Sequence, residues 1–189
     1  MMVKELTPPL AALDPYGVTG TWRRIVCFLD YTDLYSFNFE PLLPEEQEHE
    51  PIDTQEAIRL ITLKIRVSAI QGPGPDDAQD MPVVHFTGTS RSMHTSWDPN
   101  ANSKIRGSVR TTPEGAIRWT SFSIYHGEDR WRSEGVQIGG IRSARGVLGT
   151  WFNKDYHRHG PAGPTGFWKL TDDIEADKVQ HSIISFVEI

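Results

Sequence analysis

Ile61-Thr62-Leu63-Lys64-Ile65-Arg66-Val67-Ser68-Ala69 alternates apolar and polar side chains without a break. Successive side chains on a β-strand point to opposite faces, so Ile61, Leu63, Ile65 and Val67 share one face while Lys64 and Arg66 share the other. A strand with one dry face and one wet face belongs to an antiparallel sheet. Similar short stretches, each closed by a glycine-rich turn, recur from Gly17 to Leu170. Such a succession builds one antiparallel up-and-down sheet, and curling it into a closed barrel removes its exposed edges. The expected fold is therefore all-β, a single barrel over residues 17–189 with an N-terminal arm over 1–16.

Working outward, the first strand is expected from Val18 to Leu29 and a second from Leu34 to Phe39, with Asp30-Tyr31-Thr32-Asp33 turning between them. Acidic residues crowd Pro44 to Pro51, as on a solvated loop, and Gly72-Pro73-Gly74-Pro75-Asp76-Asp77 breaks the chain again. Further strands follow at Val83–Ser92, Lys104–Arg110, Ala116–Tyr125, Arg130–Ile138, Val147–Phe152 and Thr165–Leu170. Thr112-Pro113-Glu114-Gly115 has the chemistry of a tight hairpin closed by a residue in the left-handed region. Thr171, followed by Asp172, Asp173 and Glu175, is placed to cap a short C-terminal helix, and Ile183 to Ile189 reads as a returning strand.

The composition is that of an ordinary globular domain. A length of 189 residues fits one domain, apolar residues make up 38%, and the net charge is -6 with both signs dispersed. That balance points away from nucleic acid. No stretch approaches the roughly 20 apolar residues that span a bilayer, so no membrane is expected. No cationic segment followed by an apolar core opens the chain, and a cytoplasmic compartment is the expectation. The single cysteine, Cys27, forms no internal disulfide and sits in an apolar run, as a buried inert thiol does.

Charged residues orient the strands. With Lys104, Arg106 and Arg110 outside, Ile105, Gly107 and Val109 line the interior. With Arg118 outside, Trp119, Ser121, Ser123 and Tyr125 turn in, and with Arg130 and Arg132 outside, Trp131, Ser133, Gly135 and Gln137 turn in. Val147, Gly149, Trp151 and Asn153 form the matching set on the following strand. Hydroxyls and an amide are costly to bury unpaired, so this lining suggests a cavity that holds a ligand. The alternative is a filled barrel whose polar groups bond to backbone and to each other. Small barrels commonly hold one small ligand. Arg23 and Arg24 are adjacent on one strand, so one of them points inward, where it needs either a partner such as Glu134 or an acidic or carbonyl-bearing ligand.

Other chemistry finds less support. His157, His159 and Asp155 lack a third well-placed metal ligand, so no metal is expected. No Gly-x-Ser-x-Gly nucleophile elbow occurs. Gly135-Val136-Gln137-Ile138-Gly139-Gly140 is followed by no helix, which removes the phosphate-loop reading. His85 on its strand suits a framework role better than acid–base work.

Gly20-Thr21-Trp22 resembles the Gly-x-Trp signature of the calycins, the lipocalin- and avidin-like barrels, in which the Trp plugs one end. A longer similarity runs through Gly115–Tyr125, Trp131–Gly140 and Ser143–Trp151, with Pro15–Gly20, Gly163-Pro164 and Trp168-Lys169 at its flanks. These stretches resemble the C-terminal β-barrel region of fungal F-box proteins. The helical F-box has no counterpart here, so a ubiquitin-ligase adaptor is not an expected partner.

Two functional expectations follow from different classes. The first, by analogy with barrels of fungal secondary metabolism, is a cofactor-independent cyclase or isomerase, Diels–Alderases included, acting on a hydrophobic small molecule in the lumen. Tyr125, Gln137 and Arg24 would be its catalytic donors, with Trp119, Ser121, Ser123, Trp131, Ser133 and Trp151 binding the substrate. The second is a peptide- or metabolite-binding module without turnover.

Overall fold

A computed structural model describes residues 9–28, 57–94, 102–157 and 160–174 of the chain. After a 3-10 turn at Leu10–Leu13 come eight strands: β1 (Gly20–Phe28), β2 (Ala57–Gln71), β3 (Val83–Ser92), β4 (Asn102–Thr111), β5 (Ile117–Tyr125), β6 (Glu128–Gln137), β7 (Val147–Asn153) and β8 (Ala162–Thr171). Each pairs antiparallel with the next, and β8 returns to β1, which closes an up-and-down barrel. The strand expected at Leu34–Phe39, the acidic run, the C-terminal helix expected after Thr171 and the strand at Ile183–Ile189 lie outside the described residues.

The hairpin turns obey local chemistry. Gly115 (φ 86°) closes the β4–β5 turn with its N–H donating to Thr112 O at 2.8 Å. His126 (φ 52°) and Gly127 (φ 87°) form the two-residue β5–β6 turn, whose twist matches that of the strands it joins. Three residues after Gly127, Arg130 is a bulge, since Ser123 pairs with Trp131 and Ile124 with Asp129. β8 begins three residues before the expected Thr165. Pro164 cannot donate to a ladder, and it is tolerated because β8 pairs there with β7 alone, its pairing with β1 ending at Thr165.

The inward face is the one the alternation implied. Leu63 and Ile65 on β2, Ile105 and Val109 on β4, and Val147 on β7 are all buried. The densest packing lies at the end of the barrel where β1 begins. There Trp22, only 5% exposed, meets Trp119 edge-on at 5.1 Å and Phe167 at 5.8 Å, and the Phe86 ring packs 5.7 Å from Trp119. Gly107 is needed here, because a Cβ on it would lie 2.4 Å from the Phe86 ring.

The segment ahead of β1 seals that end. The Asp14 carboxylate accepts the N–H groups of Tyr16 and Val18, which folds the chain under the barrel. The Tyr16 hydroxyl donates to Pro82 O at 2.8 Å and shares a bond with Thr111 Oγ1 at 3.0 Å. Trp22 Nε1 donates to Val18 O at 2.9 Å, and the Arg142 guanidinium bonds the carbonyls of Asp14 and Pro15 from outside. Asp14 and Tyr16, assigned to the arm by sequence, are thus buried parts of the closed end. Trp22→Ala is expected to lower unfolding free energy by about 3–5 kcal/mol through the cavity it leaves. Urea denaturation followed by circular dichroism measures this, and a loss under about 1 kcal/mol would show that the end is not closed by packing.

Candidate functional site

The lumen has two chemically different halves. Below is the apolar cluster around Trp22. Above it, toward the end where β1 finishes, the inward positions become Arg24 on β1, Ser90 and Ser92 on β3, Ser121 on β5, Ser133 on β6 and Thr165 on β8, all buried. Ser123, Tyr125 and Trp131, farther along the same inward faces, remain half-buried. Among the described residues, burial therefore falls toward this end.

Arg24 organises the upper half. It is the inward member of the Arg23–Arg24 pair, 4% exposed, while Arg23 is half-buried. Its Nε donates to Thr165 Oγ1 at 2.9 Å and its Nη2 donates to Ser133 Oγ. Thr165 Oγ1 in turn donates to Ile25 O at 2.8 Å, so its lone pairs are presented to the guanidinium. The expected partner Glu134 is not used: with Ser133 inward, Glu134 faces outward and pairs with Arg132. No ion pair among the described residues includes Arg24. Burial pushes its pKa down from the ordinary guanidinium range to about 10, and the Tyr125 phenol acts in the opposite direction. At neutral pH the guanidinium is still charged.

Two indoles form a wall of this half. Trp131 and Trp151 meet edge-to-face, 5.3 Å apart at 87°. Trp151 Nε1 donates to Cys27 O at 2.9 Å, reaching across β8 over Gly163, where a Cβ would come within 2.9 Å of that nitrogen. The bulged Arg130 lies over the Trp131 ring at 5.0 Å, at the rim. Ser121 sits opposite Ser133 and Ser123 opposite Trp131 across the β5–β6 ladder.

Seven of the nine candidates read from sequence therefore share the upper half: Arg24, Tyr125, Ser121, Ser123, Trp131, Ser133 and Trp151. Two do not. Trp119 is 2% exposed and belongs to the apolar cluster. Gln137 is at the closed end, with its Oε1 accepting from Trp119 Nε1 at 3.1 Å and its Nε2 donating to Gly140 O at 3.1 Å. Its amide is a brace and does not converge with Tyr125 on one ligand.

Sequence reasoning passed over Thr165, Ser90 and Ser92. For β3 the signal was present, since exposed Arg91 sends Ser90 and Ser92 inward by the rule used on β4. Cys27 is half-buried, short of the full burial expected, on the wall of a shallow groove outside the barrel. That groove, about 280 Å³, runs past Ile25, Leu148, Pro164, Gly166 and Trp168, with Thr165 also in its lining. His85 bonds Gln71 Oε1 at 3.1 Å, a framework contact. His159 lies outside the described residues, and no group of three metal-ligating side chains occurs among the described residues.

Comparison with protein-family models, curated proteins and solved structures finds no match for this chain.

Two stability predictions follow. A folded-state pKa below the unfolded value means that the unfolded chain holds this proton more tightly. The penalty is therefore full below pH 10 and is relieved as pH rises from about 10 toward the ordinary guanidinium range. It is on the order of 3 kcal/mol before the hydroxyl bonds offset part of it. Arg24→Met is accordingly expected to leave the ligand-free protein at least as stable as wild type at pH 7. A loss beyond about 2 kcal/mol in urea titration would make Arg24 a structural tie instead. Gln137→Ala strands the Trp119 N–H and the Gly140 carbonyl, and a loss of about 1–3 kcal/mol is expected in the same assay.

Proposed function

We propose that the upper half of the lumen takes up one small, mostly apolar molecule bearing a carbonyl group and acts on it as a cofactor-independent cyclase or isomerase, in fungal secondary metabolism. The observation that carries this reading is a buried guanidinium held by hydroxyls from β6 and β8, with the Trp131–Trp151 pair and the half-buried Ser123 and Tyr125 on the inward faces beside it.

The chemistry asks little of ionisable groups. A cyclisation of the Diels–Alder type forms its bonds within one substrate and transfers no proton, so the product has the same mass as the substrate. Trp131 and Trp151 fold a flexible chain into a near-attack conformer, converting lost chain entropy into rate. Arg24 and the Tyr125 hydroxyl donate to the carbonyl oxygen and withdraw electron density from the conjugated double bond. A single aimed donor of this kind is worth about 10²–10³ in rate. The closed lower end keeps the apolar portion dry and forces entry and exit through the mouth.

The same pocket serves a metabolite-binding module without turnover, and one experiment separates the two. Metabolites from a host carrying this gene are compared with those from the deletion strain. Loss of one compound with accumulation of an isomer of equal mass is expected. Changed partitioning of a compound without an isomer would assign the chain to binding alone, and unchanged profiles would remove both readings. On the isolated substrate, Tyr125→Phe is expected to lower kcat about 10- to 100-fold, or about 1.4–2.8 kcal/mol. An unchanged kcat would remove the phenol from the mechanism.

A further inference from the structure

Arg24 poses a question of charge that hydrogen bonding alone does not answer. Its described partners, Thr165 Oγ1 and Ser133 Oγ, are neutral. Aspartates and glutamates are well represented on the barrel, yet those in described ion pairs, Asp77, Asp129, Glu134, Asp155 and Asp172, hold Arg110, Arg106, Arg132, Lys154 and Lys169 instead. A guanidinium cannot shed its charge at neutral pH, and a charge taken out of water without a counter-charge is a standing penalty. A hydrophobic residue at this position would fill the same space without it.

We infer that the molecule received by the upper half carries a carboxylate that docks on Arg24, with the Tyr125 hydroxyl as a second donor. This rests on the lumen being the binding site and narrows its ligand from carbonyl compounds in general to acids. Three features support a carboxylate over a neutral carbonyl. The guanidinium is planar and forked, which matches two oxygens better than one. The Thr165 and Ser133 hydroxyls hold it from β8 and β6, which fixes the direction of its donors before a ligand arrives. Tyr125 follows Ser121 and Ser123 on the inward face of β5 and stays half-buried, which leaves a donor above the guanidinium. An apolar tail then runs along Trp131 and Trp151 toward the mouth. Binding supplies the missing negative charge, so the penalty carried by the empty barrel becomes affinity for the correct ligand.

The test uses ω-phenylalkanoates with two to eight chain carbons and their primary amides, pairs that differ in charge and scarcely in shape. Affinities are measured by isothermal titration calorimetry on the full chain at pH 7. At the best-fitting length the acid is expected to bind wild type at least tenfold tighter than its amide, and Arg24→Met is expected to bring the two within about threefold of each other. Equal affinities for acid and amide in wild type would overturn the carboxylate assignment and leave the lumen as the site. A preference for the acid that survives in Arg24→Met would place acid binding elsewhere and also overturn it. Failure of every acid and every amide to bind would overturn the lumen reading itself. The wild-type comparison decides the charge question even if Arg24→Met does not fold.

Discussion

A charged group that cannot be neutralised sits in the middle of a barrel only 189 residues long in sequence, and the rest of the interior is arranged around that constraint. Once Arg24 points inward, the strands facing it must present oxygen atoms, because a guanidinium without acceptors in a dry lumen is prohibitively costly. Hence Ser133 and Thr165 occupy positions where a solid core would carry Val or Ile, and Ser121 lies across from Ser133 on the neighbouring strand. The constraint also divides the aromatic residues. Trp22 and Trp119 pack below with Phe86 and Phe167, away from the charge, while Trp131 and Trp151 stand above among the hydroxyls.

The closed end makes the division functional. A barrel open at both ends would let water reach Arg24 from either side, and the guanidinium would then be an ordinary solvated cation of little selectivity. The Asp14–Val18 turn, the Tyr16 hydroxyl bonded to Pro82 and Thr111, and the Trp119–Gln137–Gly140 chain of hydrogen bonds close one side completely. In the function proposed above, a ligand approaches past Tyr125, Ser123 and Trp131. Electrostatic contacts at the bottom of such a one-ended space are screened less than those at a surface.

Face was legible in the sequence and height was not. A strand period of two assigns each residue to inside or outside, and charged side chains set the phase, so the interior sets on β4, β5, β6 and β7 emerge from residue order alone. The same rule says nothing about position along the barrel axis, which depends on the stagger between neighbouring strands. Trp119 and Tyr125 share an inward face, yet six residues of strand separate the closed end from the mouth, and Gln137 shares its face with Trp131 in the same way. Grouping them into one pocket treated a long tube as a single layer. The Arg24–Glu134 pairing failed for a different reason: Ser133 and Glu134 are consecutive, so an inward Ser133 already required an outward Glu134. Thr165 was hidden because Lys169 shares its face, and the rule that sends charged residues outward fails there: Lys169 Nζ turns in to donate to Gly17 O.

The remaining alternative, a filled barrel whose polar side chains satisfy each other, has to account for the gradient of burial. In a filled core all inward residues at one level are excluded from water together, since packing is close and cooperative. Here Ser121, Ser133 and Trp151, which share one level, are buried together, while Ser123, Tyr125 and Trp131, the next inward positions, keep accessible surface among the described residues. Two indoles, a phenol and several hydroxyls at the mouth of a space with a cation at its base are poor choices for filling volume. They are suitable for gripping a flexible apolar chain by one polar end. A fold selected for stability alone would place a neutral side chain of similar size at Arg24, and the proposed acid ligand accounts for the charge as stability exchanged for recognition.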